Sequence, residues 1–162
     1  MASIPDDLAA FLVDAKRRTY AGLDDDATVA TPLLAGSKQL EHRAPPYADR
    51  DIYFGMGFFV GQETVLRDDR VIWSMSYSGG VRAEITDRDT FLAIYKFLRQ
   101  ALLGVSAEEP YRGPLLFEPA GMGMVYRNET EGALDRFHGV ETIARDDGVP
   151  LYELRYSGGL LR

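Results

Sequence analysis

Cysteine is absent from the chain, which removes disulfides, thiolate nucleophiles and cysteine-based zinc sites together. The two histidines, His42 and His138, are too few for a histidine-rich metal centre, so neither a metal nor a cofactor is expected. No apolar run is long enough to span a bilayer, and Met1 to Asp7 lacks the basic and apolar regions of a signal peptide; a cytoplasmic protein without membrane contact is expected. Positive charge is scarce, 18 Lys and Arg against 25 Asp and Glu, and the net charge of -7 repels phosphate backbones, which argues against direct nucleic-acid binding. Ser78 and Ser157 have no histidine that the sequence places beside them, so a serine triad is not supported. Gly55-Met56-Gly57 with Gly61 leads into a strand rather than a helix and lacks the setting of a phosphate loop. Asp24-Asp25-Asp26 reads as a solvated loop.

What the chain has is a repeat. Phe59-Val60-Gly61-Gln62-Glu63-Thr64-Val65-Leu66-Arg67-Asp68-Asp69 recurs as Phe137-His138-Gly139-Val140-Glu141-Thr142-Ile143-Ala144-Arg145-Asp146-Asp147, and each copy runs on to Tyr-Ser-Gly-Gly at Tyr77–Gly80 and Tyr156–Gly159. The offset is 78 residues from Phe59 to Phe137 and 79 from Tyr77 to Tyr156. With 162 residues, 46% apolar and 27% charged, the chain reads as one domain over 1–162 with pseudo-repeat halves of about 1–82 and 83–162.

Apolar spacing predicts amphipathic helices from about Asp6 to Ala21, capped by Asp6, and from about Asp87 to Leu103, where Thr86 and Asp89 resemble a capping box. Loops follow at Leu23–Ala48 and Val105–Gly121. Strands are expected at Asp51–Phe54, Phe58–Leu66 and Val71–Tyr77, then at Met122–Thr130, Leu134–Arg145 and Pro150–Tyr156. The fold class is therefore α+β: duplicated halves of one helix and three strands, an antiparallel sheet covered by the two helices, and a pseudo-twofold. Face alternation sets the register, pairing Val65 with Trp73, Glu63 with Met75 and Gly61 with Tyr77, and Ile143 with Tyr152, Glu141 with Leu154 and Gly139 with Tyr156. Asp68-Asp69-Arg70 reads as a three-residue turn and Asp147-Gly148 as a two-residue type I′ turn.

The inward face then carries Phe59, Glu63, Trp73 and Tyr77 in one half and Glu141, Tyr152 and Tyr156 in the other. A carboxylate among apolar walls is costly unless paired. These seven residues either line an aromatic cleft for a small organic molecule, aromatic or cationic, or the two glutamates are struts tied to an Arg, a Tyr hydroxyl or a backbone amide. Glu63, with the richer aromatic neighbours, is expected to face the ligand, and Glu141 to be structural. Gly61 and Gly139 let a ring lie over bare backbone, and the Tyr-Ser-Gly-Gly ends read as strand terminators or, alternatively, an anion-holding nest.

Tyr53-Phe54-Gly55, Phe59 to Glu63, Trp73 to Gly79, Tyr111-Arg112-Gly113-Pro114 and the closing Phe137, Gly139, Glu141 and Tyr156–Gly159 resemble an uncharacterised prokaryotic family of unknown function. The resemblance covers about Leu8 to Leu160. It implies a domain that occurs alone or C-terminal to Xre-type helix-turn-helix DNA-binding domains, and brings no catalytic residues with it. At fold level the duplicated halves are also similar to effector-binding domains of multidrug-responsive regulators, some of whose relatives are hydrolases.

Three functions remain open: a sensor-like small-molecule-binding domain, an enzyme using a Glu general acid or base, and a non-catalytic interaction module. The last would form a homodimer or dock a protein through the sheet edge expected near Arg162.

Overall fold

Apolar residues at helical spacing form α1 (Leu8–Arg18), which buries Leu8, Phe11, Leu12 and Ala15, and α2 (Arg88–Leu102), which buries Ile94, Phe97, Leu98, Ala101 and Leu102, in the computed structural model. The structure describes residues 3–22 and 28–162, so Asp24-Asp25-Asp26 lies outside the described residues. The cap of α2 is Asp87, whose carboxylate accepts from Thr90 N at 2.8 Å and Thr90 Oγ1 at 2.7 Å, in place of the box expected at Thr86 and Asp89. At α1 the N-cap is Asp7, not Asp6, and the Tyr47 hydroxyl occupies its carboxylate.

Among the described residues eight strands, not six, form one antiparallel sheet: β1 (Lys38–Ala44), β2 (Tyr47–Gly55), β3 (Phe58–Arg67), β4 (Arg70–Val81), β5 (Leu116–Phe117), β6 (Met124–Ala133), β7 (Arg136–Arg145) and β8 (Pro150–Leu160). Two of them lie in segments expected to be loops. β1 is mostly polar and joins β2 through Pro45-Pro46, a turn with a cis peptide bond, so its composition resembles a loop although every residue from Lys38 to Ala44 pairs with β2. β5 has only two residues.

The strand order is β1-β2-β3-β4-β8-β7-β6-β5. β8, expected to offer a free edge near Arg162, is central because it pairs with β4, and the edges are β1 and β5. At that seam Tyr77 lies opposite Tyr156. The Tyr-Ser-Gly-Gly segments neither end the strands nor form a loop: β4 continues to Val81 and β8 to Leu160. Their glycines permit the central strands to lie close, since a Cβ on Gly158 would come within 2.3 Å of the Ser74 carbonyl oxygen.

All six expected cross-strand pairs of the two hairpins form. The turn types are exchanged. Asp68 and Asp69, at φ 49° and 61°, make a two-residue turn between Arg67 and Arg70, a left-handed conformation that Asp tolerates better than most residues. The second hairpin has the longer loop, with Gly148 at φ 87° and Val149 closing onto Arg145. Each hairpin also carries one bulged residue, Ile72 in β4 and Leu151 in β8.

The buried faces of both helices share one core with Phe59, Val65, Trp73, Met75 and Tyr77 of the first hairpin and Phe137, Ile143, Tyr152, Leu154 and Tyr156 of the second. No helix among the described residues is long and apolar enough to cross a membrane.

Candidate functional site

Alternation places Glu63 in β3 and Glu141 in β7 on the core side, and each meets a cation from another element. Lys16, in the last turn of α1, donates to Glu63 Oε1 at 2.6 Å and Oε2 at 2.5 Å. Arg112 Nη2, from the loop after α2, donates to Glu141 Oε1 at 2.7 Å; the Tyr152 hydroxyl donates to the same oxygen and Tyr126 to Oε2, each at 2.8 Å. Glu141 is 0% exposed, and these three donors satisfy its carboxyl oxygens in place of water. Burial, reinforced by the charge of Glu141, pushes the Tyr126 and Tyr152 hydroxyls well above the usual tyrosine range and keeps them as donors.

The two halves use the same scaffold with different chemistry. In each, a tyrosine ring lies over a strand glycine: a Cβ on Gly61 would meet the Tyr77 hydroxyl at 2.3 Å, and one on Gly139 would meet Tyr156 Cζ at 2.3 Å. The Tyr77 hydroxyl donates to Asp51 Oδ1 at 2.6 Å, and the Tyr156 hydroxyl donates to Asn128 Oδ1 at 2.8 Å. Asp51 lies opposite Glu63 and Asn128 opposite Glu141, while the preceding inward positions are Asp49 and Tyr126. The second half thus surrounds its one carboxylate with a cation, Arg112, and two neutral hydroxyl donors, whereas the first gathers Asp49, Asp51 and Glu63 around Lys16.

Two of these carboxyl groups, Asp49 and Asp51, are hard to ionise. Burial first, then the charge of Glu63, raises Asp49 well above the usual carboxylate range, and Glu63 is also its hydrogen-bond neighbour. The same two causes push Asp51 up to about 7, although the Tyr77 hydrogen bond and the Lys16 and Arg112 charges oppose them. Asp49 Oδ1 and Arg112 Nε have no hydrogen-bond partner among the described residues. Asp49 and Arg112 border a void of 20 Å³ shared with Lys16, Asp51 and Glu63, about the size of one water.

Asp51, Tyr20 and Arg112 also border an open cleft of 160 Å³ between the sheet and α2. Tyr53, Phe59, Tyr77, Phe91 and Tyr95 supply aromatic wall, and Lys38 and Arg99 join them. The Tyr95 hydroxyl donates to the Met56 carbonyl oxygen at 2.5 Å, tying α2 to the β2–β3 turn at the same cleft. A larger groove of 580 Å³ crosses the opposite face over Ser76, Ser78 and Ser157. We place the candidate site in the smaller cleft, where aromatic walls converge with a carboxyl poised to titrate near neutrality.

Of the seven residues singled out from the sequence, Phe59 and Tyr77 line this cleft. Glu63 borders the small void behind it. Tyr152 packs against Phe59 and Tyr95 at 6.5 and 6.4 Å between ring centroids, and Trp73 is fully buried in a stack with Phe137 at 5.6 Å. Tyr156 turns to Asn128, and Glu141 to Arg112. Asp51, Tyr53, Tyr95, Arg99, Arg112, Lys38 and Tyr20 were not anticipated. The alternation Tyr47-x-Asp49-x-Asp51-x-Tyr53 was the available signal: continued from the Tyr53–Gly61 pair, it puts both aspartates on the aromatic face.

The histidines play no part in this cleft. His42 Nε2 lies 2.8 Å from Asp14 Oδ2, and exposed His138 lies 3.4 Å from Glu131. Among the described residues no group of acidic or histidine side chains is arranged to hold a metal ion.

No curated protein and no solved structure matches the chain. A family profile does: it runs over residues 51–161, from Asp51 at the cleft through both hairpins and the central strand pair. By that match, over more than half of its length, the chain belongs to the family described as the domain of unknown function DUF5680.

Proposed function

We propose that the chain is a sensor-like small-molecule-binding domain whose ligand enters the cleft between β2–β4 and α2, with an aromatic ring against Phe59, Tyr77 and Tyr95. The carrying observation is the difference between two halves on one scaffold. Where Asn128 and Glu141 are enclosed by Tyr156, Tyr126, Tyr152 and Arg112, the counterpart Asp51 borders open space. An internal duplication explains the shared scaffold, the palindromic strand order and the Tyr77–Tyr156 seam; one copy then retained a closed polar strut while the other opened. Binding of effectors for a separate or fused helix-turn-helix partner is the role such a domain would serve.

Thermal denaturation with a panel of one-ring aromatics tests this reading, since a ligand of the folded state raises the melting temperature with its excess over Kd. We expect a concentration-dependent rise in wild type, altered by Asp51→Asn and retained by the destabilised Glu141→Gln. A panel without effect on wild type contradicts it.

One observation favours a second reading, an enzyme with Asp51 as general acid or base. Its carboxyl is pushed up to about 7, and Tyr77 orients it by a 2.6 Å hydrogen bond at the floor of the cleft. Under that reading, Asp51→Asn removes turnover of a bound aromatic while its affinity stays within about tenfold.

A further inference from the structure

The composition of the cleft restricts the charge of what it takes. Among the described residues three cations border it, Lys38, Arg99 and Arg112, against one carboxyl, Asp51. Arg112 is engaged by Glu141 at 2.7 Å. The side chains of Lys38 and Arg99 form no hydrogen bond or ion pair with any described residue, yet the charge of Arg99 reaches the cleft tyrosines, where it acts on Tyr20 and Tyr53.

The glutamates that suggested a cationic ligand are both occupied, Glu63 by Lys16 and Glu141 by Arg112. An incoming ammonium would face two unengaged cations; an incoming anion would neutralise them. The volume, 160 Å³, is close to the roughly 150 Å³ of an apolar cavity that accepts benzene. Phe59 lies among Tyr53, Tyr77 and Tyr95 at centroid distances of 6.4, 5.9 and 6.4 Å, so a single ring finds aromatic edges and faces together.

We propose that the cleft selects a one-ring aromatic carboxylate, its ring among Phe59, Tyr53 and Tyr95 and its carboxylate at Arg99 and Lys38, a proposal that rests on reading the cleft as a binding site. Arginine suits the task because its fork matches a carboxylate in two parallel hydrogen bonds. Asp51 and Tyr77, on the floor, remain available to a polar substituent on the ring's far side.

Benzoate, benzamide and benzamidine, nearly equal in shape and differing in charge, test the proposal by calorimetric titration at low salt. A charge-assisted hydrogen bond outweighs a neutral one enough to change affinity by about tenfold. Benzoate is expected to bind at least that much more tightly than the other two. In the double variant Lys38→Met/Arg99→Met, shown by circular dichroism to be folded, the preference should collapse to within about threefold while benzamide is unaffected. Benzamide or benzamidine binding as tightly as benzoate overturns the charge assignment and leaves the cleft a binding site. Preference for benzoate that persists in the double variant overturns the role of Lys38 and Arg99. Failure of all three to bind wild type overturns the proposal and the binding reading with it.

Discussion

Asp51 and Asn128 occupy matching places beside a tyrosine hydroxyl, one an ionisable carboxyl and the other a neutral amide. The folded chain holds the Asp51 proton up to about 7, whereas the unfolded chain releases it near 3.8, the ordinary value of an aspartate carboxyl. Asp51 therefore favours folding fully below the unfolded value, and that contribution is lost as pH rises through about 7. Wild type should gain on the order of 1–3 kcal/mol in urea denaturation between about pH 8 and pH 5, and Asp51→Asn should make the profile shallower in that window, with Asp49, raised by the same burial, supplying the slope that remains. Glu141→Gln leaves Arg112 buried without its counter-charge and should cost about 3 kcal/mol. Gly139→Ala, which drives a methyl into the Tyr156 ring, should cost about 1–3 kcal/mol by the same measurement. Alternation in the sequence was enough to put Glu63 and Glu141 on the aromatic face. Their cations were not legible, because Lys16 and Arg112 come from a helix and a loop whose placement depends on the whole fold.

At the scale of elements, the helices and both long hairpins could be read because each shows one period throughout: 3.6 for the burial of Leu8, Phe11, Leu12 and Ala15, and two for Phe59 to Val65. β1 escaped because Lys-Gln-Leu-Glu-His-Arg-Ala has little apolar content to reveal an alternation, and β2 was read only from Asp51, which hid Asp49. The exchanged hairpin turns have a local cause, since Asp68 and Asp69 adopt the positive φ usually left to glycine or asparagine. Asp87 caps α2, which carries Phe91, Tyr95 and Arg99 to the cleft. Asp87→Ala should cost about 1 kcal/mol in thermal denaturation and weaken any ligand response by loosening the first turn beneath Phe91.

For the whole molecule, the central pairing of β4 with β8 joins the halves into one sheet with both helices on the same core, an arrangement that a repeat in sequence suggests but whose strand order it does not specify. The central claim is that only the Asp51 half is open to a ligand. Side-chain NMR shift mapping with whichever of benzoate, benzamide and benzamidine binds addresses it most directly. Shifts should concentrate on Phe59, Tyr77, Phe91 and Tyr95, with Tyr126, Asn128 and Tyr156 unmoved; shifts centred on Tyr126 and Tyr156, or on the outer groove at Ser76 and Ser157, would contradict the account.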